Sequence, residues 1–207
     1  MPIIKNMHLR RGRPERFIVS LDDDQDLIFT PEIVLKYRFS PEIEFSDHQF
    51  LQILEEDQLR QAKDQAMRYL TRRSHSRTEL IRKMREKGYR LKIINKALDE
   101  LQTVDLVNDE NFTRQFIQNE IQLRPVSRRL LIQKLLQRGI SKELYDPLLE
   151  ELFSESLEQE MLQTLTRKFL RTHTKDTGQK KREKLLRFLQ GKGFSWEQIR
   201  QVVDNEQ

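Results

Sequence analysis

Apolar residues recur along the chain at the spacing of amphipathic helices, and one such pattern occurs three times. In each copy an Arg stands 11 residues before a Gly, apolar residues stand 8, 7 and 4 residues before it, and a basic residue directly precedes it. Apolar side chains at i, i+1 and i+4 share one face of a helix. Residues 77–89, 128–140 and 182–194 therefore predict three similar amphipathic helices.

Each predicted helix ends at a Gly that is preceded by a basic residue. Just past its last turn a helix commonly adopts a left-handed conformation, which Gly reaches without a steric clash, and a basic residue beside it complements the negative helix end. A further helix is expected after each Gly, and another before each Arg, in residues 62–73, 111–123 and 157–170. The repeating unit is thus three helices long, and three stacked units predict an elongated, curved array.

The first part of the chain lies outside the repeat. Two short apolar stretches, residues 16–21 and 27–29, flank an Asp-rich segment at residues 22–26. This pattern is typical of a β-hairpin with a polar turn. A small β element is therefore expected near the N-terminus.

Two helix starts follow the predicted hairpin. Thr30 before Pro31 predicts a helix that runs through Tyr37, and Ser46 with Gln49 forms a capping box that opens another. A polar, Gly-containing stretch at 172–179 predicts an exposed loop. We therefore predict a mainly α protein with these parts: an α/β extension at residues 1–61 and three-helix repeats at residues 62–108, 109–154 and 155–207.

The composition excludes several classes of protein. The chain has no Cys, which excludes disulfides, thiol nucleophiles and cysteine-ligated metals. Its apolar runs are far shorter than the roughly 20 residues that cross a bilayer, and its start lacks the apolar stretch of a secretory signal. We therefore expect a cytoplasmic protein without a membrane partner.

The net charge of +5 conceals a strong asymmetry along the chain. Residues 68–96 carry a net charge of +9 and residues 164–200 carry +8, whereas residues 97–163 carry −6. Basic segments of this kind attract polyanions through counterion release, although single exposed basic residues are more often only solvated. The candidate residues for binding a polyanion are Arg68, Arg72, Arg73, Arg77, Arg82, Lys83, Arg85, Lys87, Lys180, Lys181, Arg182 and Lys184.

Signals for catalysis are weak throughout the sequence. The four His residues are far apart and form no H-E-x-x-H motif, and each is expected to be an exposed or capping residue. The Asp-rich segment lacks the Gly and Glu of a calcium loop, and no phosphate-binding glycine motif is present. We expect no cofactor, no metal and no enzymatic activity.

At these positions the sequence closely resembles the bacterial RecX family, regulators of the RecA recombinase. The resemblance covers residues 62–203 and is most specific in the first repeat, where Ser76 and Glu79 also form a capping box. Its first-repeat residues are Ala66, Tyr69, Leu70, Arg73, His75, Ser76, Arg77, Glu79, Leu80, Lys83, Lys87, Gly88 and Tyr89. Further matches are Val107, Asp109, Phe112, Leu131, Leu135, Arg138, Gly139 and Ile140.

The resemblance implies a non-enzymatic modulator in DNA repair and the SOS response, and we separately expect a monomer. Such a protein binds RecA and RecA filaments on single-stranded DNA and suppresses ATP hydrolysis, strand exchange and co-protease activity. Two alternatives remain open from the residues alone. One is a module that binds DNA directly, and the other is a helical repeat scaffold for another protein. Thr113 and the segment 125–127 depart from the family pattern in ways that affect local packing.

Overall fold

The structure is a computed structural model that describes residues 1–12, 14–173 and 178–205. Within these residues the strands are β1 (Ile4–Arg10), β2 (Arg16–Leu21) and β3 (Asp26–Phe29). The helices are α1 (Pro31–Lys36), α2 (Asp47–Leu70), α3 (Arg77–Arg85), α4 (Leu91–Thr103), α5 (Asp109–Leu123), α6 (Arg128–Gln137), α7 (Lys142–Leu152), α8 (Glu155–Thr172), α9 (Gly178–Gly191) and α10 (Trp196–Asn205). None of these helices is long and apolar enough to cross a membrane.

The prediction of a mainly α protein with three three-helix repeats is confirmed. The first repeat contains the second half of α2 with α3 and α4, the second contains α5 to α7, and the third contains α8 to α10. Each repeat has its own apolar core, formed by the residues that the periodicity assigns to one helix face. The central side chains of these cores are Leu80, Met84, Ile94 and Leu98 in the first, Leu131, Leu135 and Leu149 in the second, and Leu185, Leu189 and Ile199 in the third.

The middle helix of each repeat ends in the predicted glycine turn. Gly88, Gly139 and Gly193 have φ angles of 89°, 74° and 87°. After each Gly, the next residue donates its N–H to the carbonyl five residues earlier, which is the bond that closes a Schellman motif. These bonds run from Tyr89 to Met84 (3.2 Å), from Ile140 to Leu135 (3.2 Å) and from Phe194 to Leu189 (3.4 Å).

The N-terminal sheet contains the predicted hairpin and one strand that the sequence did not predict. β2 pairs with β3 in antiparallel register across the Asp-rich turn, and β1 pairs with the other edge of β2. In β1 only Ile4 is fully buried, and most of the following residues are exposed on both faces. A strand of this kind leaves no alternating apolar pattern, because neither of its faces is consistently covered.

The sheet packs against α1 and the first half of α2 around a cluster of aromatic rings. Phe29 lies at the centre, with ring centroids 5.1 Å from Phe39 and 6.3 Å from Phe50. Beside this core the Asp57 carboxylate is almost fully buried and accepts hydrogen bonds from the Thr30 N–H (2.8 Å) and hydroxyl (2.7 Å). Gln61 donates to the other carboxylate oxygen at 2.6 Å. These bonds tie the end of β3 to α2.

The predicted helix starts are present, with one difference in how α1 is capped. Pro31 opens α1, but the Thr30 hydroxyl donates to Asp57 and makes no cap bond to the helix. Ser46 and Gln49 form the predicted capping box at the start of α2. α2 then continues without a break past residue 62, where the first repeat was predicted to begin.

The two ends of the predicted loop at 172–179 are helical. Thr172 is the last residue of α8, and Gly178 is the first residue of α9. Residues 174–177 of this loop lie outside the described part of the chain. α9 thus begins before Arg182, where the repeat pattern starts. The unbranched side chains of Lys180, Lys181 and Glu183 favour helix even without an apolar face.

By its internal contacts the chain divides into two units. The first comprises Met1–Ser74 with Leu80–Val107, and the second comprises His75–Glu79 with Asn108–Gln207. In the first unit, the Tyr89 hydroxyl donates to the Gln61 carbonyl at 3.3 Å and so joins the glycine turn to α2.

In the second unit, the start of a helix twice contacts a glycine turn that lies later in the chain. We call each of these two contacts a joint. In one joint the Ser76 hydroxyl donates to the Arg138 carbonyl at 2.7 Å, and in the other the Ser127 N–H donates to the Lys192 carbonyl at 2.9 Å. A carboxylate closes each joint. Asp109 accepts from the Arg77 N–H at 2.7 Å, and Glu158 accepts from the Arg128 N–H at 2.8 Å.

The glycines of these joints have no room for a side chain. A Cβ placed on Gly139 would lie 2.5 Å from the Cβ of Thr78, and one on Gly193 would lie 2.5 Å from the Cβ of Leu130. A Cβ on Gly88 would meet nothing within 4 Å. The three glycines therefore share one backbone conformation but differ in packing.

We predict that Gly139→Ala destabilises the protein more than Gly88→Ala. Both substitutions place Ala in a left-handed conformation, which costs about 1–2 kcal/mol. Only Gly139→Ala also forces Thr78 to move, and this overpacking adds about 1–3 kcal/mol. Urea unfolding of both variants, followed by circular dichroism, measures the difference. Equal losses of stability would show that the turn conformation alone matters.

We also predict that Asp57→Ala lowers the free energy of unfolding by about 1–3 kcal/mol, because it leaves the buried donors of Thr30 without an acceptor. Thermal and urea unfolding would measure the loss. Gln52→Ala, at an exposed position of the same helix, is the matched control and should change stability by no more than about 0.5 kcal/mol. A loss of similar size in the two variants would contradict the role of the buried carboxylate.

Candidate functional site

The predicted basic residues of the first repeat form what we call the α2–α3 basic surface: Arg68, Arg72, Arg73, Arg82, Lys83, Arg85 and Lys87. All are exposed except Lys83, which is half-buried. Arg68 lies on the last turn of α2, and Arg72 lies in the turn that follows this helix. Arg82 and Arg85 are spaced i,i+3 on α3 and are therefore neighbours on the helix surface.

A cation–π contact connects the two helices of this surface. The Lys83 ammonium lies 5.3 Å from the centroid of the Tyr69 ring. Tyr69 and Leu70 of α2 pack against the same apolar core as Leu80 and Met84 of α3. The core thus holds the end of α2 beside α3, where Lys83 contacts the aromatic ring of Tyr69.

Arg77 differs from the other predicted residues of the first repeat. It is half-buried, and its backbone N–H donates to Asp109 within the second unit. Its neighbour His75 is buried beside Glu79, with 3.1 Å between Nδ1 and a carboxylate oxygen. His75 is therefore not exposed, in contrast to one of the two expectations for it, and it lies beside Glu79 one helical turn later.

Arg138 completes the polar cluster around Glu79. Its guanidinium lies 4.2 Å from the centroid of the Phe116 ring and 3.8 Å from a Glu79 carboxylate oxygen. Ser76 accepts from the Glu79 N–H at 3.1 Å, as the capping pattern predicts. These contacts make residues 75–79 part of a joint. Arg77 lies within this joint, unlike the exposed arginines of the α2–α3 basic surface.

The predicted basic residues of the third repeat lie on the first turns of α9. Lys180 and Arg182 are exposed, whereas Lys181 and Lys184 are half-buried. α9 packs against α8 through the third core, with 5.2 Å between the ring centroids of Phe169 and Phe188.

Three further basic residues stand on the last two turns of α8, near this group along the chain. Arg167, Lys168 and Arg171 are all exposed. They are not among the residues that the sequence analysis predicts to bind a polyanion, although they contribute to the net charge of +8 over residues 164–200. We use the name α8–α9 basic surface for the following set: Arg167, Lys168, Arg171, Lys180, Lys181, Arg182 and Lys184.

Most of these cations have no carboxylate partner, in contrast to basic residues elsewhere in the protein. Among the described residues, no carboxylate lies within ion-pair distance of Arg68, Arg72, Arg82, Lys83, Arg85, Lys87, Lys180 or Lys181. Pairs do form between Lys36 and Glu56 (2.6 Å), Lys63 and Glu100 (2.7 Å), and Arg114 and Glu151 (2.5 Å).

Paired and unpaired cations have different consequences for binding. The hydrogen bond from Lys36 lowers the pKa of the Glu56 carboxyl below its ordinary value, so this pair is already neutralised within the fold. A cation without an internal partner can neutralise a charge of a polyanion and release the counterions condensed on that polyanion, and this release favours association. Arg68, Arg72 and Arg82 can therefore bind an anionic partner without first breaking an ion pair within the described part of the chain.

The aromatic residues near these surfaces mostly belong to the apolar cores. Phe194 is buried, and burial raises the pKa of the Tyr89 hydroxyl. Trp196 is an exception because it is 49% exposed. In the part of the chain that the structure describes, no group of three His, Asp or Glu side chains is placed to hold a metal ion.

Comparison with known protein families matches all three repeats in order. The first, second and third three-helix domains of RecX match residues 62–101, 108–147 and 157–203. A regulatory protein RecX from Finegoldia magna is 25% identical over 191 residues, which cover 92% of this chain and 93% of that protein. One from Chlorobium limicola is 32% identical over 138 residues, covering 67% of this chain and 84% of that protein.

A solved structure supports the same assignment at the level of the fold. A crystal structure of a regulatory protein RecX aligns with a TM-score of 0.65 and 19% identity, covering 99% of this chain and 100% of the other. The alignment thus includes the N-terminal extension as well as the repeats. The three matched domains, in the order and at the positions of the three observed repeats, show that the chain belongs to the RecX family of regulatory proteins.

Proposed function

We propose that this protein is a non-enzymatic inhibitor of RecA that binds RecA filaments on single-stranded DNA. In this proposal it suppresses ATP hydrolysis, strand exchange and co-protease activity, and so acts in recombination, DNA repair and the SOS response. The observation that carries the proposal is the presence of two clusters of exposed and half-buried basic residues in a chain of the RecX family. A filament on DNA offers such surfaces both phosphates and protein carboxylates.

The proposed mechanism is electrostatic docking along the filament. The α2–α3 and α8–α9 basic surfaces each contact acidic protein groups or exposed phosphates, and Arg77 is included in this contact set as a prediction. Backbone phosphates carry no base sequence, so binding through them is expected to be independent of sequence. We further propose that the protein acts in the cytoplasm as a monomer.

One alternative function has support from the same residues. Surfaces with several unpaired cations also suit a module that binds single-stranded DNA directly and competes with RecA for it. Such a module would bind bare single strands with a steep dependence on salt, because each neutralised phosphate releases counterions. A repeat scaffold for another protein, the second alternative, would leave RecA unaffected.

We predict that the protein inhibits DNA-dependent ATP hydrolysis by RecA of the same organism at concentrations well below those that coat the DNA. Filament docking acts on RecA, so it does not require saturation of the strand. The measurement is an ATPase titration beside a binding assay on bare single-stranded DNA at the same salt concentration. Inhibition only at saturation would instead support direct competition for DNA, and no inhibition would support the scaffold.

We predict that reversing charge on either basic surface weakens inhibition. The variants are Arg72→Glu with Arg82→Glu and Arg85→Glu, and separately Lys168→Glu with Arg171→Glu and Lys180→Glu. Each should raise the concentration for half-inhibition by about tenfold or more, as expected when several charge contacts are lost. Helicity measured by circular dichroism should not change, because all six side chains are exposed.

A variant with the same change in net charge provides the control. Lys96→Glu with Arg124→Glu and Arg129→Glu alters exposed residues outside both basic surfaces. This variant should inhibit RecA as well as the unmodified protein does. If both surface variants retain full inhibition, or if the control loses as much as they do, electrostatic docking through these surfaces is wrong.

A further inference from the structure

Among the Phe, Tyr and Trp residues of the chain, Trp196 alone is exposed. The chain has 11 Phe, 4 Tyr and 1 Trp, all of them within the described residues, and every Phe and Tyr is buried or half-buried. Aromatic side chains gain much free energy from burial, so a protein surface carries few exposed Trp residues beyond those that function needs. The ring of Trp196 is therefore a candidate binding group.

The capped start of α10 fixes the position of Trp196. The Ser195 N–H donates to the Gln198 side chain at 2.9 Å, and the Gln198 N–H donates to the Ser195 hydroxyl at 3.2 Å. These reciprocal bonds form a capping box. Phe194 before this turn and Ile199 after it are both buried in the core of the third repeat. The backbone at Trp196 is thus held from both sides, and its exposed ring stands at a defined place.

Basic residues lie beside Trp196 on α10 and along α9. Arg200 is exposed and follows Trp196 at spacing i,i+4, so the two side chains are neighbours on the helix surface. Lys180, Lys184 and Arg187 are spaced i, i+4 and i+7 and share one face of α9, which leads toward the glycine turn before α10. Among the described residues, no carboxylate lies within ion-pair distance of Lys180, Arg187 or Arg200.

These neighbours favour a nucleic acid base over a protein side chain as the partner of the ring. A Trp that dominates a protein interface lies among other apolar contacts, but in the described part of the third repeat no other large apolar side chain is exposed. A site for single strands combines an aromatic ring that stacks on a base with cations that follow the backbone. Bases inside a duplex are not accessible to such a ring, so the base must be unpaired.

We propose that Trp196 stacks on an unpaired base of single-stranded DNA while Arg200 contacts an adjacent phosphate. Lys180, Lys184 and Arg187 contact further phosphates along α9. Every base has a π-face, so this stacking adds affinity without selecting a sequence. The choice of DNA as the strand rests on the proposed function, but the contact itself does not require RecA.

The test uses the fluorescence of Trp196, which is the only Trp of the chain, so the emission reports on this site alone. The probes are an oligothymidylate of about 12 nucleotides, within the usual range of single-strand site sizes, and an abasic strand of the same length. Both strands carry the same phosphates, but only the first carries bases. The oligothymidylate should quench the emission as it binds. The abasic strand should bind more weakly and leave the emission unchanged.

Anisotropy of the labelled oligothymidylate, at one fixed salt concentration, compares the variants. Trp196→Ala should weaken binding by about 5- to 150-fold, as expected for one lost stacking contact. Trp196→Phe keeps a ring and should bind more tightly than Trp196→Ala. Arg200→Gln should reduce the log–log salt slope by about 0.7 for one lost phosphate contact. Leu136→Ala is the control, because it truncates an apolar side chain of similar exposure (53%) on α6, and it should bind as the unmodified protein does.

The proposal is overturned if the oligothymidylate does not bind or does not quench the emission, if the abasic strand binds equally well, or if Trp196→Ala binds as tightly as the unmodified protein. Weaker inhibition of RecA by Trp196→Ala with unchanged DNA binding would also overturn it and would assign the ring to a protein contact. Circular dichroism shows whether the variants are folded, and the comparison of the two strands needs no variant. The binding assays contain no RecA, so their failure would leave the proposed inhibition to its own ATPase titration.

Discussion

The contact between a glycine turn and an earlier helix start is the constraint on which the second unit depends. At Gly139 and Gly193 the turn ends one helix and also brings a backbone carbonyl to a serine at the start of another. Both tasks require the absence of a side chain. The first needs a positive φ angle at the glycine, and the second needs the glycine to lie close to side chains at the start of the other helix. Because the same residues serve both tasks, a side chain at either glycine disturbs both the helix end and its contact with the serine.

The distribution of charge follows from what each cation does for the fold. Basic residues that face carboxylates on neighbouring elements are neutralised internally, as Arg114 is by Glu151. In contrast, among the described residues no carboxylate lies within ion-pair distance of Arg68 or Arg72, and like charges at this spacing repel each other. Several carboxylates of the acidic middle act within the second unit: Asp109 and Glu158 bond helix starts, and Glu120 and Glu151 form ion pairs.

The repeats could be predicted from the sequence because their determinants are local. The spacing of apolar residues, the glycine and the caps all act within one or two helical turns, and each recurs three times. Other features depend on residues far apart in the chain. The cluster around Glu79 requires Arg138, and β1 is recognised only through its pairing with β2. The basic residues of α8 could not be grouped with the Lys-rich run of α9 from the sequence, because they belong to a different helix. Only the packing of α8 against α9 brings the two groups into one repeat.

The continuity of α2 has a consequence for how the N-terminal extension evolves. This helix of 24 residues supplies Phe50 and Ile53 to the core of the extension, and Ala62 and Ala66 to the core of the first repeat. Loss of either half would expose the apolar surface of the other, so the two parts unfold cooperatively. A deletion that ended near residue 61 would cut through a helix and leave half of a core unsupported. A relative that lacks the extension must therefore cover this part of the first repeat with other residues.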